Sequence, residues 1–174
     1  VPTVAAIAAE DPRPPSGHVR LVALDIGQGD ALLVETAQET VLVDTGGSPV
    51  SDFDPGAAVI APFLRARGSR SLDPVVITHF HADHAGGVRG LLAEIPTRQA
   101  WVASATVDDP ASVRFAAALG DTPVTVLAAG DERRDGDCTW RVLHPSGRWL
   151  ENGGAPVSNN GSLVLAVACG GRQI

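Results

Sequence analysis

Residues 78–84 read Thr78-His79-Phe80-His81-Ala82-Asp83-His84, so three imidazoles and a carboxylate share one short loop. The loop follows Pro74-Val75-Val76-Ile77, a short apolar run with β-branched residues that reads as a buried strand. Ala85-Gly86-Gly87 comes next, and Val88, Leu91, Leu92 and Ile95 then recur at helical spacing as far as Pro96. The loop therefore lies at the turn of a strand, loop and helix unit, the place where α/β sheets carry their active sites. A single histidine there would be an ordinary polar loop residue. The dense cluster has no packing use and points to chemistry.

In an extended segment side chains i and i+2 point the same way, so His79 and His81 can grip one ion together. Asp83 and His84 follow after the chain has turned and address a neighbouring position. The spacing suits two adjacent divalent ions held by imidazole and carboxylate, as zinc or manganese prefers.

The rest of the composition narrows the setting. A chain of 174 residues has room for one domain with a real core. Its net charge of −7 argues against a broad basic face that grips nucleic acid by counterion release. Phosphate substrates stay open, because divalent ions supply positive charge locally. Cys138 and Cys169 fall in different predicted strands and form no C-x-x-C pair, so both read as core or edge thiols. No apolar stretch approaches the ~20 residues of a membrane span, and no signal peptide is visible at the start. The absence of methionine, even at position 1, reads as a segment of a longer chain.

Residues 1–17 are rich in Ala and Pro and read as an entry linker, with one domain over 18–174. Strands are expected over 19–25, 31–36 and 41–44, joined by the tight Gly27-Gln28-Gly29-Asp30 turn and the Ala37-Gln38-Glu39-Thr40 turn. A helix around Val59 to Leu64 ends near Gly68. After the histidine loop come a strand at 99–103, a helix at 111–119 and strands at 124–127, 138–143 and 162–169, with a Gly- and Asn-rich loop over 146–161.

The His79-Phe80-His81-Ala82-Asp83-His84 run resembles the H-x-H-x-D-H signature of the metallo-β-lactamase fold superfamily. Asp44, in Val43-Asp44-Thr45-Gly46, is similar to that superfamily's strand-end aspartate, which braces the metal loop. The resemblance implies an αββα four-layer sandwich with mixed sheets, here truncated on its C-terminal side. Three further segments narrow it: Leu24-Asp25-Ile26-Gly27-Gln28-Gly29-Asp30-Ala31, Asp44-Thr45-Gly46, and Ser158-Asn159-Asn160-Gly161-Ser162 with the aliphatics after it. Together they resemble the C-terminal hydrolase-like domain of the ComEC family, membrane channel proteins of bacterial DNA uptake.

Carried over residue by residue, the resemblance makes His79 and His81 ligands of one Mn²⁺ or Zn²⁺ ion and Asp83 and His84 ligands of a second. Asp83 and Asp30 become the catalytic carboxylates, with the general acid either Asp30 or a group beyond Ile174, while Asp25, Asp44, Asn159, Asn160 and Ser162 surround the ligands. It implies a competence nuclease that degrades the non-transported DNA strand. The substrate would be single-stranded DNA, the partner the membrane-embedded channel portion of the same polypeptide, and no stable protein partner is inferred. The domain would sit on the extracytoplasmic side of the inner membrane. The chain departs from the wider superfamily where a later histidine ligand is usual, offering Asn159, Asn160 and Ser162 instead, and a bridging aspartate would lie beyond Ile174. A small-molecule hydrolase of lactamase or thioesterase type, and a non-catalytic domain with part of its metal site lost, are the alternative readings. His144, before Pro145, and His18 are read as bystanders.

Overall fold

A computed structural model describes residues 13–106, 110–148 and 159–174. The first sheet has the strand order β1 (Arg20–Ala23), β2 (Leu32–Glu35), β3 (Thr40–Val43), β4 (Leu72–Ile77), β5 (Thr97–Ala103) and β6 (Val124–Leu127). Its first three strands form the expected antiparallel meander, and β3 to β6 run parallel. That mixture follows from the connections. Short turns join β1, β2 and β3, whereas helices make the crossovers that parallel neighbours need. A π-wound turn, Gly56–Ile60, runs into α1 (Ala61–Ala66) before β4, and α2 (Ala82–Ala85) and α3 (Val88–Glu94) precede β5. The last crossover is α4 (Pro110–Leu119).

The second sheet is antiparallel throughout, in the order β10 (Arg172–Gln173), β9 (Val164–Cys169), β8 (Cys138–His144) and β7 (Glu132–Asp135). Strand alternation sorts the first sheet's side chains into two cores. Leu33, Leu42, Val75, Ile77 and Val102 meet Ile60, Leu64 and Leu91 of the helical layer. Val34, Val41, Val76 and Trp101 meet Trp140, Val142 and Val167 of the second sheet. The two tryptophan rings stand edge-on with centroids 6.0 Å apart, an arrangement aromatic pairs favour. Helical, sheet and sheet layers are thus described. The second helical layer of the αββα expectation, outside the second sheet, is not among the described residues, and among them no helix is long and apolar enough to cross a membrane.

Two expectations need correcting. Cys138 and Cys169 are not thiols but a disulfide, with Cα atoms 4.3 Å apart. They are direct partners in the β8–β9 register and both face the inter-sheet core, a relation that their spacing of 31 residues does not disclose. Pro74 does not open its strand but lies inside β4, a central strand. The β3–β4 ladder begins only at Leu42 and Val75, and beneath it the Asp73 carboxylate accepts the Thr40 N–H at 2.8 Å.

Of the expected linker, residues 1–12 lie outside the described residues. Pro14 is buried, and the Ser16 hydroxyl donates to Asp137 at 2.9 Å, so the chain enters against the second sheet.

Candidate metal centre

The parallel pairing of β3 and β4 delivers their C-terminal ends to the same edge of the first sheet. Asp44 follows β3 directly and Thr78 follows β4. Asp44 is 3% exposed, and its Oδ1 accepts the Thr78 N–H at 2.8 Å. Its Oδ2 accepts the Thr78 hydroxyl at 2.7 Å and His84 Nδ1 at 2.8 Å. The Asp44 backbone has φ 60°, a left-handed conformation that aspartate tolerates better than most residues but still at some cost. Three hydrogen bonds to one buried carboxylate hold it there.

His79 and His81 leave β4 in extended chain, while Asp83 and His84 ride on α2. His79 is buried, with its Nε2 3.2 Å from His81 Nδ1 and its ring centroid 4.1 Å from that of His84. The Asp83 carboxylate is 3.8 Å from His84 Nε2 and is partly open to solvent. The short helix is fastened to the strand ends from below: the Thr45 N–H and hydroxyl both reach the His84 carbonyl, at 2.6 and 3.1 Å.

The Gly27-Gln28-Gly29-Asp30 turn packs on the far side of the loop. Asp30 N–H donates to the Asp83 carbonyl at 3.2 Å. Gly29 has φ +91°, and a Cβ there would meet that carbonyl oxygen at 1.8 Å, so only glycine permits the approach. Asp30 is exposed beside Asp83, and a cavity of about 300 Å³ adjoins it, lined by Gly29, Asp30, Ala31, Val43 and Asp44 among others. Asp25 is exposed, and its described hydrogen bond is to the Gly27 N–H, at 3.4 Å.

The Asn-rich segment comes from the second sheet. Leu163 N–H donates to the Thr78 carbonyl at 2.9 Å, which brings Ser162 over the loop with its hydroxyl 3.2 Å from His79 Nδ1. Asn159 and Asn160 act here through their backbone: the Asn159 carbonyl accepts the Ser162 hydroxyl, and the Asn160 carbonyl accepts His144 Nε2, both at 2.7 Å. Their exposed side chains have no described contact with the histidines. His144 is thereby tied to the Asn159–Gly161 turn, and His18 Nδ1 to the Ser16 carbonyl. Ser158 lies outside the described residues.

Thr78 is the site residue to which the sequence reading gave no role. Its signal was its place, immediately before the first histidine and after the strand.

Burial, followed by the neighbouring His84 and His81, lowers the pKa of His79 below the ordinary imidazole value. The hydrogen bond to Asp44 raises that of His84. As the side chains stand, no three of His, Cys, Asp and Glu among the described residues converge as a closed metal cage would need. The donor chemistry nevertheless fits a divalent ion. Nitrogen ligands lie about 2.0–2.1 Å from zinc, so two nitrogens 3.2 Å apart subtend roughly 100°, near the tetrahedral angle. His79 and His81 would hold one ion, and Asp83 and His84, already neighbours, a second.

A mixed sheet backed by helices, a second sheet behind it and this loop at the strand ends define a known class. The chain belongs to the metallo-beta-lactamase superfamily, whose model matches residues 24–174, and whose members are metal-dependent hydrolases that typically use divalent ions such as zinc. Within that class it is 30% identical over 164 residues to ComE operon protein 3 of Bacillus subtilis, covering 86% of this chain and 20% of that protein. It is also 30% identical over 140 residues to a hydroxyacylglutathione hydrolase of Pseudomonas putida, covering 75% of this chain and 48% of that one. A metallo-beta-lactamase from Cronobacter sakazakii superposes with a TM-score of 0.59 at 22% identity, over 88% of this chain and 58% of its own, and shows the fold alone. The chain thus spans about a fifth of its ComE relative.

Proposed function

We propose that this domain is a divalent-metal nuclease that cleaves phosphodiester bonds in the non-transported strand during DNA uptake. The observation that carries the reading is the packing of the Gly27-Gln28-Gly29-Asp30 turn on the metal loop, which sets Asp30 beside Asp83, in a chain alike to ComE operon protein 3 over 86% of its length. Bound Mn²⁺ or Zn²⁺ would supply an activated water and positive charge for the phosphoryl oxygens. His79, His81, Asp83 and His84 would hold the ions, Asp44 orients His84, and Asp30, exposed at the rim, would pass a proton from solvent to the leaving oxygen. In a chain of net charge −7, the bound ions would be the chief attraction for DNA. The Cys138–Cys169 disulfide favours an oxidising compartment, in line with a place outside the inner membrane beside the channel part of the same polypeptide.

Labelled single-stranded DNA incubated with the complete domain and Mn²⁺ tests this. Cutting that falls at least about 100-fold in His79→Ala is expected, and equal cutting by both proteins removes the idea. A thioester hydrolase is the second reading, favoured by the hydroxyacylglutathione hydrolase similarity. Turnover of a glutathione thioester or of nitrocefin, with no cutting of DNA, would select it.

A further inference from the structure

The hydrogen bonds at His79 Nδ1 and His84 Nδ1 have forced directions, which can be counted out from Asp44. An ionised carboxylate only accepts. Its Oδ2 at 2.7 Å from Thr78 Oγ1 therefore takes that hydroxyl's single proton. Thr78 Oγ1 also lies 3.2 Å from His79 Nδ1, and with its proton committed it can only accept there. Ser162 repeats the arrangement from the other sheet. Its hydroxyl proton goes to the Asn159 carbonyl at 2.7 Å, leaving an acceptor 3.2 Å from the same His79 Nδ1. Two obligate acceptors face that nitrogen, so it must carry a proton. His79 Nε2 is then the bare nitrogen, and it is the one turned toward His81. His84 gives the same result in one step, since its Nδ1 donates to Asp44 directly.

We propose that Thr78 is a positioning residue: its hydroxyl passes the acceptor character of Asp44 on to His79 Nδ1, so that one carboxylate fixes the tautomers of two imidazoles. Ser162 seconds it on His79. Both rings are held with Nε2 bare, the state in which imidazole can bind a metal. Bare Nδ1 on His79 would instead set three lone pairs against one another in a buried pocket, where an unmet acceptor is costly. The purpose of this device rests on the metal-hydrolase reading, but its existence does not.

The test is therefore read without metal or substrate. Long-range ¹H–¹⁵N correlation of the chelator-treated 174-residue chain, labelled at histidine and held near pH 9, above the imidazole range, reports the tautomer of each ring. His79 and His84 should both be protonated at Nδ1. In Thr78→Val combined with Ser162→Ala, His79 should go over to Nε2–H while His84 keeps its Nδ1 proton, which shows that Asp44 and the loop are still in place. Thr78→Ser should keep the wild-type pattern. Zinc affinity of the double variant, measured by calorimetry, should fall about 10–100-fold, the usual cost of removing a partner that orients a ligand. Nε2–H on His79 in the unsubstituted chain overturns the proposal, whether or not the double variant folds. An unchanged His79 in a folded double variant also overturns it. Confirmed tautomers in a domain that cuts no DNA would leave this inference standing and sink only the nuclease reading.

Discussion

Asp44, at the metal end of the sandwich, accepts hydrogen bonds from Thr78 and His84. Asp135 and Asp73, at the opposite end, accept from the Thr36 hydroxyl and the Thr40 N–H, with Arg98 3.3 Å from Asp73. All three carboxylates are buried. What differs is where the hydrogen bonds lead. Those at the metal end run on into imidazoles, so a change at Asp44 alters what the histidines can bind. Those at the far end close on strand turns and on the backbone, and there Cys138–Cys169 adds a covalent tie between β8 and β9. One end uses buried charge to aim lone pairs, the other to fasten connections.

The largest effect should come from Asp44→Ala. It leaves the Thr78 N–H, the Thr78 hydroxyl and His84 Nδ1 without their acceptor, at about 3–5 kcal/mol for an uncompensated buried polar cluster. Urea unfolding would measure this. Asp44→Asn sharpens the contrast, because it keeps the shape and the Thr78 N–H bond while setting an amide donor against His84. It should unfold later than Asp44→Ala yet bind zinc almost as poorly. Normal zinc binding by Asp44→Asn would show that Asp44 is a fastening like those at the far end.

Reducing the disulfide, or replacing both cysteines by serine, should come next, at roughly 3–4 kcal/mol for cysteines separated by 31 positions. The loss should appear in the urea midpoint alone, with zinc affinity of the folded protein unchanged. A matching fall in affinity would break the separation of the two ends.

The parts foreseen from sequence were those written locally. Short apolar runs bounded by turns marked β2, β3 and β5, and helical spacing marked α3. The crowding of His79, His81, Asp83 and His84 marked the site because the ligands are neighbours in the chain. What escaped depends on pairing between distant segments. Ser162 was placed near the ligands by resemblance, but its meeting with Thr78 on His79 depends on Leu163 docking on β4's end, and Cys138 meets Cys169 only in one register of β8 and β9. Strand β7, with the sequence Glu-Arg-Arg-Asp, has no apolar alternation to reveal it and exists through its pairing with β8. Pro74 misled in the other direction: a residue that usually bounds a strand sits within one.

The smallest effect concerns Glu39, in the turn between β2 and β3 at the far end. Burial, then Asp135, then Asp73 push its carboxyl up to about 7 from the usual 4.5, while Arg98 and Arg13 pull against them. A carboxyl whose pKa is higher in the folded chain binds its proton more tightly there, so it favours folding while protonated. That contribution is complete below about 4.5, shrinks as pH rises, and is gone once pH has passed about 7. Because Glu39 is only partly buried, solvent screens much of it. The melting temperature of the wild type should therefore slope gently downward across that window, on top of whatever the other groups contribute. Glu39→Gln, which cannot ionise, should lack this slope and be the more stable of the two at pH 8. Parallel curves for the two proteins would mean that Asp135 and Asp73 do not act on the turn, and that the far end is fastened by the Thr36 and Thr40 hydrogen bonds and the disulfide alone.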